Sequence, residues 1–248
     1  MIKIIIHITK FVIATITALL FASCNNLNLN TIEGSGNVTT EKRIVQGDFK
    51  NIEVSNAIDL VIQQSDSVDI TVEADDNLQK EIITKVENGT LIIECKFSSF
   101  RNVTQKKVTV KMPHVGKIEA SSAASVLSKN TLQGENIELE TSSAASMHVD
   151  VESDNISCNS SSGSSIDIKG KALKVQTSAS SGSSIEAGKL LANDVDAEVS
   201  SGSVTSVHPI LSLKAQASSG GNINYNNVPK TINKETSSGG TVSQSENL

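Results

Sequence analysis

The sequence predicts an all-β fold, a right-handed parallel β-helix (β-solenoid) with coils of about 19 residues behind a less regular N-terminal β region. The first observation is an internal repeat. Ser-Ser followed by Ala or Gly recurs at Ser121-Ser122-Ala123, Ser142-Ser143-Ala144, Ser161-Ser162-Gly163, Ser180-Ser181-Gly182, Ser200-Ser201-Gly202, Ser218-Ser219-Gly220 and Ser237-Ser238-Gly239, at steps of 21, 19, 19, 20, 18 and 19 residues. Short fixed periods mark stacked-repeat architectures, because one unit cannot bury its apolar face alone. The second is period-2 alternation within each unit, as expected of strands with one buried face. The third is composition: 38% of residues are apolar but only 2% aromatic, with no Trp. That is too apolar for a disordered chain, and it leaves small aliphatic side chains to fill the interior.

Residues 1–23 read as a lipoprotein signal peptide. Lys3 and Lys10 are its only charges, and the apolar run Phe11 to Ala22 is short for a spanning helix. The run ends in Leu20-Phe21-Ala22-Ser23-Cys24. Small residues before a cysteine match a bacterial lipobox and make Cys24 the expected lipidation site. Acyl chains there, at about 0.8 kcal/mol per buried methylene, would anchor the protein to a membrane. Residues 24–33 read as a polar tether.

Residues 34–115 are expected to form irregular first coils. Ile52-Glu53-Val54-Ser55-Asn56-Ala57 lies over Ile118-Glu119-Ala120-Ser121-Ser122-Ala123, with Leu60 in the place of Val126, as in a degenerate repeat. Further strands are expected at Val68–Glu73, Leu91–Cys95 and Val108–Met112, with a hairpin at Asn88-Gly89. Asp75–Glu81 could hold one helical turn.

Residues 116–248 hold the seven repeats. Seven residues before the Ala/Gly stand Ile137, Ile156, Val175, Val195, Leu213 and Ile232, and five before stand Ile118, Leu139, Cys158, Thr177, Ala197 and Ala215. Between them lies a polar column of Glu138, Ser157, Gln176, Asp196 and Lys214. Three residues after the Ala/Gly a second apolar column holds Val126, Met147, Ile166, Ile185, Ile223 and Val242, with an apparent slip to Val204 in the fifth unit. Each unit thus reads as strand, small-residue corner, strand and a looser return. Gly at the corner permits a positive φ, and the two serines can bond the turn backbone. Lys234 and Thr236 in the inward columns suggest a polar coil that caps the stack.

Several motifs now converge. Gly34-Ser35-Gly36, Arg43 before Phe49-Lys50-Asn51-Ile52-Glu53-Val54, Asp59-Leu60-Val61-Ile62 and Asn88-Gly89-Thr90-Leu91-Ile92-Ile93 precede the Ser/Gly-rich repeats. Together they resemble the family named "putative auto-transporter adhesin, head GIN domain", over roughly residues 34–240. The resemblance implies a β-solenoid in an exported, often lipidated protein of a Gram-negative cell envelope, here expected at the outer membrane. It supplies no catalytic motif.

Chemistry is sparse. Lys+Arg number 21 against 27 Asp+Glu, for a net charge of −6. Acidity and the scarcity of rings argue against nucleic acid, which needs a basic face and stacking platforms. His114, His148 and His208 have no zinc-ligand spacing. His148 and Asp150 share the polar face of one strand, as a solvated pair. No metal or other cofactor is expected. Glu119 and Glu140 should sit on adjacent coils, as should Asp167 and Glu186. Such a pair can raise one pKa and resemble a glycosidase dyad, although an exposed strand face favours a plain carboxylate ladder. Cys95 and Cys158 could pair or stay free. The expected function is a non-enzymatic envelope lipoprotein, adhesin-like, held to the membrane by its lipid and presenting a polar solenoid face to a glycan or an envelope or cell-surface protein. The alternative is a carbohydrate-active β-helix enzyme, a polysaccharide lyase or hydrolase.

Overall fold

The computed structural model describes residues 30–245 together with Lys10. The leader, Cys24 and most of the tether lie outside the described residues. Between residues 30 and 245 every element is a β-strand, and seventeen of the nineteen form one continuous sheet.

The repeats stack in parallel. β10 (Lys117–Ala120) and β11 (Ser125–Ser128) form one coil, followed by β12 (Leu132–Thr141), β13 (Ser146–Ser160), β14 (Ser165–Ala179), β15 (Ser184–Val199) and β16 (Val204–Ala217). Ile118, Leu139, Cys158, Thr177, Ala197 and Ala215 pair one above the next, as the repeat predicts. The looser return is not there. β13 to β16 run 14 to 16 residues from one corner to the next. Val149, Val151, Ile168, Ala172, Leu190 and Ala192 on the return face inward and are buried, so this stretch also gains by extending and pairing.

Each corner is tighter than the glycine alone suggests. Both central residues are left-handed: the second serine of all seven motifs has φ between 47° and 56°, and the next residue is Ala at 61° and 62° or Gly at 69° to 77°. The Ala124 N–H closes the first turn on the Ser121 carbonyl at 3.1 Å, the pattern of a type I′ turn. The corners also bond along the stack, Ala123 N–H to the Ser143 carbonyl at 3.0 Å and Gly163 N–H to that of Ser181 at 3.1 Å. The side chain that bonds the turn is not one of the two motif serines but the buried residue after the glycine. Ser164 and Ser203 Oγ each accept from the N–H and donate to the carbonyl of the first serine of their own turns, Ser161 and Ser200. Ser183 and Ser203 Oγ also donate to the carbonyls of Ser160 and Ala179 on the preceding coil.

The fifth unit does not slip. Thr205 pairs with Ile185 and Ile223, and it is fully buried in their column while Val204 turns away. A Thr methyl fills the inward site, which explains why reading only for apolar residues displaced the register.

The N-terminal region departs most from sequence order. β3 (Asn51–Val54) and β4 (Asp59–Gln64) pair with β10 and β11 as the degenerate repeat predicts, Ile52 opposite Ile118 and Leu60 opposite Val126. On their other side lie β7 (Thr90–Cys95) and β9 (Lys106–Met112), later in sequence but earlier in the stack. β5 (Asp69–Asp75) runs antiparallel to β9, β2 (Val38–Arg43) to β5, and β6 (Ile82–Glu87) to β7 through the expected Asn88-Gly89 hairpin. This antiparallel cover occupies the first edge of the solenoid, which would otherwise offer unpaired backbone to other chains. Residues 76–81 form successive turns in place of a helical turn. Thr31–Glu33, placed in the tether by composition, is strand β1 and pairs with β8 (Ser99–Arg101).

At the far end, β17 (Asn222–Tyr225), β18 (Thr231–Thr236) and β19 (Thr241–Gln244) complete the stack. β18 is exposed along its length, and Lys234 Nζ donates to the Tyr225 hydroxyl at 2.8 Å, 4.5 Å from that ring's centre. A polar terminal coil therefore closes the core.

Cys95 and Cys158 are both free and buried. The Leu91, Ile52, Ile118, Leu139 and Cys158 register puts them four rungs apart. That is about 19 Å at 4.8 Å per rung, far beyond disulfide reach. Complete burial pushes the Cys158 thiol up to about 12, so it behaves as a small core side chain.

Candidate functional site

The outward columns frame an axial trough of about 840 Å³ along one edge of the stack. Its floor follows Ile137, Ile156, Val175 and Val195, whose side chains point into the core and are only 2–4% exposed. One wall is Lys117, Glu138, Ser157, Gln176, Asp196 and Lys214, the polar column that the repeat places there. The opposite wall is Asn136, Asn155, Lys174, Asp194 and Ser212. The residues of that second wall stand immediately before the buried Ile/Val column on the same strands, so the alternation that turns the first wall outward turns them outward too. The trough spans six coils, about 24 Å.

Neighbouring coils brace the walls. Asn155 Nδ2 donates to Asn136 Oδ1 at 3.0 Å, Ser212 Oγ to Asp194 Oδ1 at 2.6 Å, and Lys214 Nζ lies 3.3 Å from Asp196 Oδ2. Lys50, beyond Lys117 at the first end, and Lys174 in mid-trough form no ion pair among the described residues.

Glu119 and Glu140 do stand directly opposite on adjacent coils. Lys117, which sequence reasoning passed over, sits among them: its Nζ is 2.7 Å from Glu140, 3.3 Å from Glu119 and 3.5 Å from Glu138. Partial burial works against charge on Glu140, but the hydrogen bond from Lys117 outweighs it and holds the carboxyl below its ordinary value. Desolvation likewise opposes the Lys117 charge, and Glu140 and Glu119 overcome it, raising the ammonium above its usual range. The cluster is thus an ion-pair network and not a dyad with one carboxyl held protonated.

The two shifts set a pH window. The depressed Glu140 contributes stability that is present above its unfolded value near 4.5 and lost as pH falls through the lower folded value. The raised Lys117 contributes stability that is present below 10.5 and lost as pH rises through its higher folded value. Lys117→Gln is therefore expected to cost about 1 kcal/mol at pH 7, a surface-network magnitude. Urea titrations should show that deficit closing in acid, as pH falls below 4.5 and through the lower folded value of Glu140. A deficit that persists in acid would mean that Lys117 acts through packing alone.

Asp167 and Glu186 also oppose one another, both exposed. The partner of His148 is not Asp150 on its own strand but Asp167 on the next coil, 3.4 Å from Nδ1, while Asp150 faces Lys169 at 3.7 Å. Among the described residues no group of His, Cys, Asp and Glu is arranged to hold a metal ion.

With this geometry, the family described as "Putative auto-transporter adhesin, head GIN domain" matches residues 48–229. The chain belongs to the head GIN domain family. Its solved structural relatives share the solenoid nearly end to end. A "putative adhesin" of Bacteroides fragilis is 22% identical with a TM-score of 0.80, covering 86% of this chain and 99% of its own. A "putative lipid binding protein" of Parabacteroides distasonis is 20% identical with a TM-score of 0.73, covering 87% and 100%. A "putative adhesin" from the same species is 26% identical with a TM-score of 0.70, also covering 87% and 100%. No curated protein matches the sequence. The head GIN assignment and these folds agree with the β-solenoid expected from the repeat.

Proposed function

We propose that this head GIN protein is a non-enzymatic, adhesin-like binding module of the bacterial cell envelope. It is exported by the 1–23 leader, anchored at Cys24 to the outer membrane, and offers its trough to a glycan or an envelope or cell-surface protein. The observation that carries this reading is the trough: a channel with polar walls over an aliphatic floor, running across six successive coils and braced from coil to coil, suits an elongated partner more than a small substrate. The adhesin names of the family and of two structural relatives support it. A glycosidase reading requires a carboxyl kept protonated near neutral pH, and Lys117 biases Glu140 the opposite way.

Protease treatment of intact cells tests the placement. The chain is expected to be degraded while a periplasmic control survives, and Cys24→Ser is expected to release it from the membrane fraction. Protection of the chain from external protease would overturn a surface-binding role.

A further inference from the structure

We propose that the trough binds a linear acidic polysaccharide lying along the solenoid axis, an inference that rests on the binding-module reading above. Shape is the first argument. The walls repeat once per coil, about every 4.8 Å, whereas an extended polypeptide advances about 3.3 Å per residue and so meets an equivalent position only with every third residue, at every second rung. The pyranose repeat of an extended glycan is close to the rung spacing, so successive sugars meet equivalent wall positions.

Lining chemistry is the second. The trough has no aromatic ring, and its middle is made of amides and hydroxyls: Asn136, Asn155, Ser157 and Gln176. Asp196 Oδ1 is enclosed and accepts no hydrogen bond among the described residues. It is an acceptor suited to a sugar hydroxyl, because an enclosed oxygen without a donor costs free energy until one arrives.

Charge is the third. The lining holds four lysines, Lys50, Lys117, Lys174 and Lys214, against three acids, Glu138, Asp194 and Asp196. Among the described residues Lys50 and Lys174 lie in no ion pair, although Asp194 stands beside Lys174 on the following coil, in a chain whose net charge is −6. The lining therefore carries one more cation than anion on an otherwise acidic molecule, which steers an anionic chain to this channel. Pairing β3 through β14 places Lys50 and Lys174 four rungs apart, about 19 Å. One acid group cannot serve both, so the ligand is a polymer with spaced carboxylates and not a monosaccharide.

The test uses the full exported protein carrying Cys24→Ser, against immobilised linear oligosaccharides of graded length, uronate-containing and neutral, with polyglutamate as a charged peptide control. Uronate oligomers are expected to bind, to gain affinity until they span Lys50 to Lys174, and to weaken with salt. Lys174→Gln and the trough-filling Ser157→Tyr should each reduce affinity by roughly tenfold or more, while Glu186→Gln on the second strand's outer face changes nothing. Both trough positions are outward-facing, and an unchanged melting midpoint confirms that each variant is folded. Equal binding of polyglutamate, preference for neutral glycans, absence of binding to every uronate oligomer, or indifference to both trough variants would overturn the inference. If the protein is accessible on cells and fails only here, the glycan assignment falls alone; protection from external protease removes the underlying reading as well.

Discussion

Gly170→Ala is expected to cost about 3 kcal/mol or more, while Gly182→Ala, an equally small change at the corner that ends the same strand, should cost about 1 kcal/mol. The two glycines are present for different reasons. Gly182 is a corner residue at φ +70 whose added Cβ would meet nothing within 4 Å, so only the left-handed backbone resists a side chain. Ala123 and Ala144 already occupy that corner position at φ 61 and 62 in other coils. Gly170 lies in mid-coil at φ +124, and its Cβ would fall 2.0 Å from the Val151 carbonyl oxygen of the preceding coil. It stands in register with Leu132, Val151 and Leu190, where the other coils place aliphatic side chains. Relieving the clash would require moving a backbone that is bonded on both sides. Urea unfolding of the two variants in parallel measures the difference. Equal midpoints would mean that the stack absorbs displacement between coils far more easily than its register implies.

Asp75→Ala is the second large effect, expected to lose about 3–5 kcal/mol and to free the antiparallel cover from the first coil. Asp75 is fully buried at the end of β5, and its carboxylate accepts three backbone N–H groups at 3.0 Å: Thr104 and Gln105 on Oδ1 and Gly36 on Oδ2. One side chain therefore ties the segment before β2 and the loop before β9 to the same point. Gly34 lets the chain come this close, since a Cβ there would lie 2.4 Å from Asp75 Oδ2. Alanine strands three donors at a site closed to water. Asp75→Asn keeps one acceptor oxygen and should cost roughly half as much. Hydrogen exchange reads the effect directly: the amides of Gly36, Thr104 and Gln105 should lose protection in Asp75→Ala while those of β14 and β15 keep theirs. Uniform loss along the whole solenoid would show that the cover and the stack unfold as one unit.

What the sequence determined by itself is the part of the molecule that repeats. Ser-Ser-Ala/Gly sets the corners, Ile118 to Ala215 the inward column, Glu138 to Lys214 one wall of the trough, and Asn56-Ala57 an early corner with φ 58 and 53. Each of these is a local pattern copied at a fixed step, so the nearest-neighbour stacking of the copies follows from the step itself. Even there, a polar atom in an inward site misled: Thr205 holds a column that hydrophobicity assigned to Val204.

Only the tertiary structure decided the rest. β7 and β9 slide beneath β3 and β4 although they come later in the chain, because β6 and β5 turn the backbone round antiparallel, and no repeated residue announces that pairing. Lys117 meets three glutamates because two coils bring Glu138 and Glu140 to the strand that carries it and Glu119. Period and burial are properties of neighbouring residues and can be read along a line. Charge neutralisation and edge cover depend on which distant surfaces the closed coil brings together, and they exist only once it has closed.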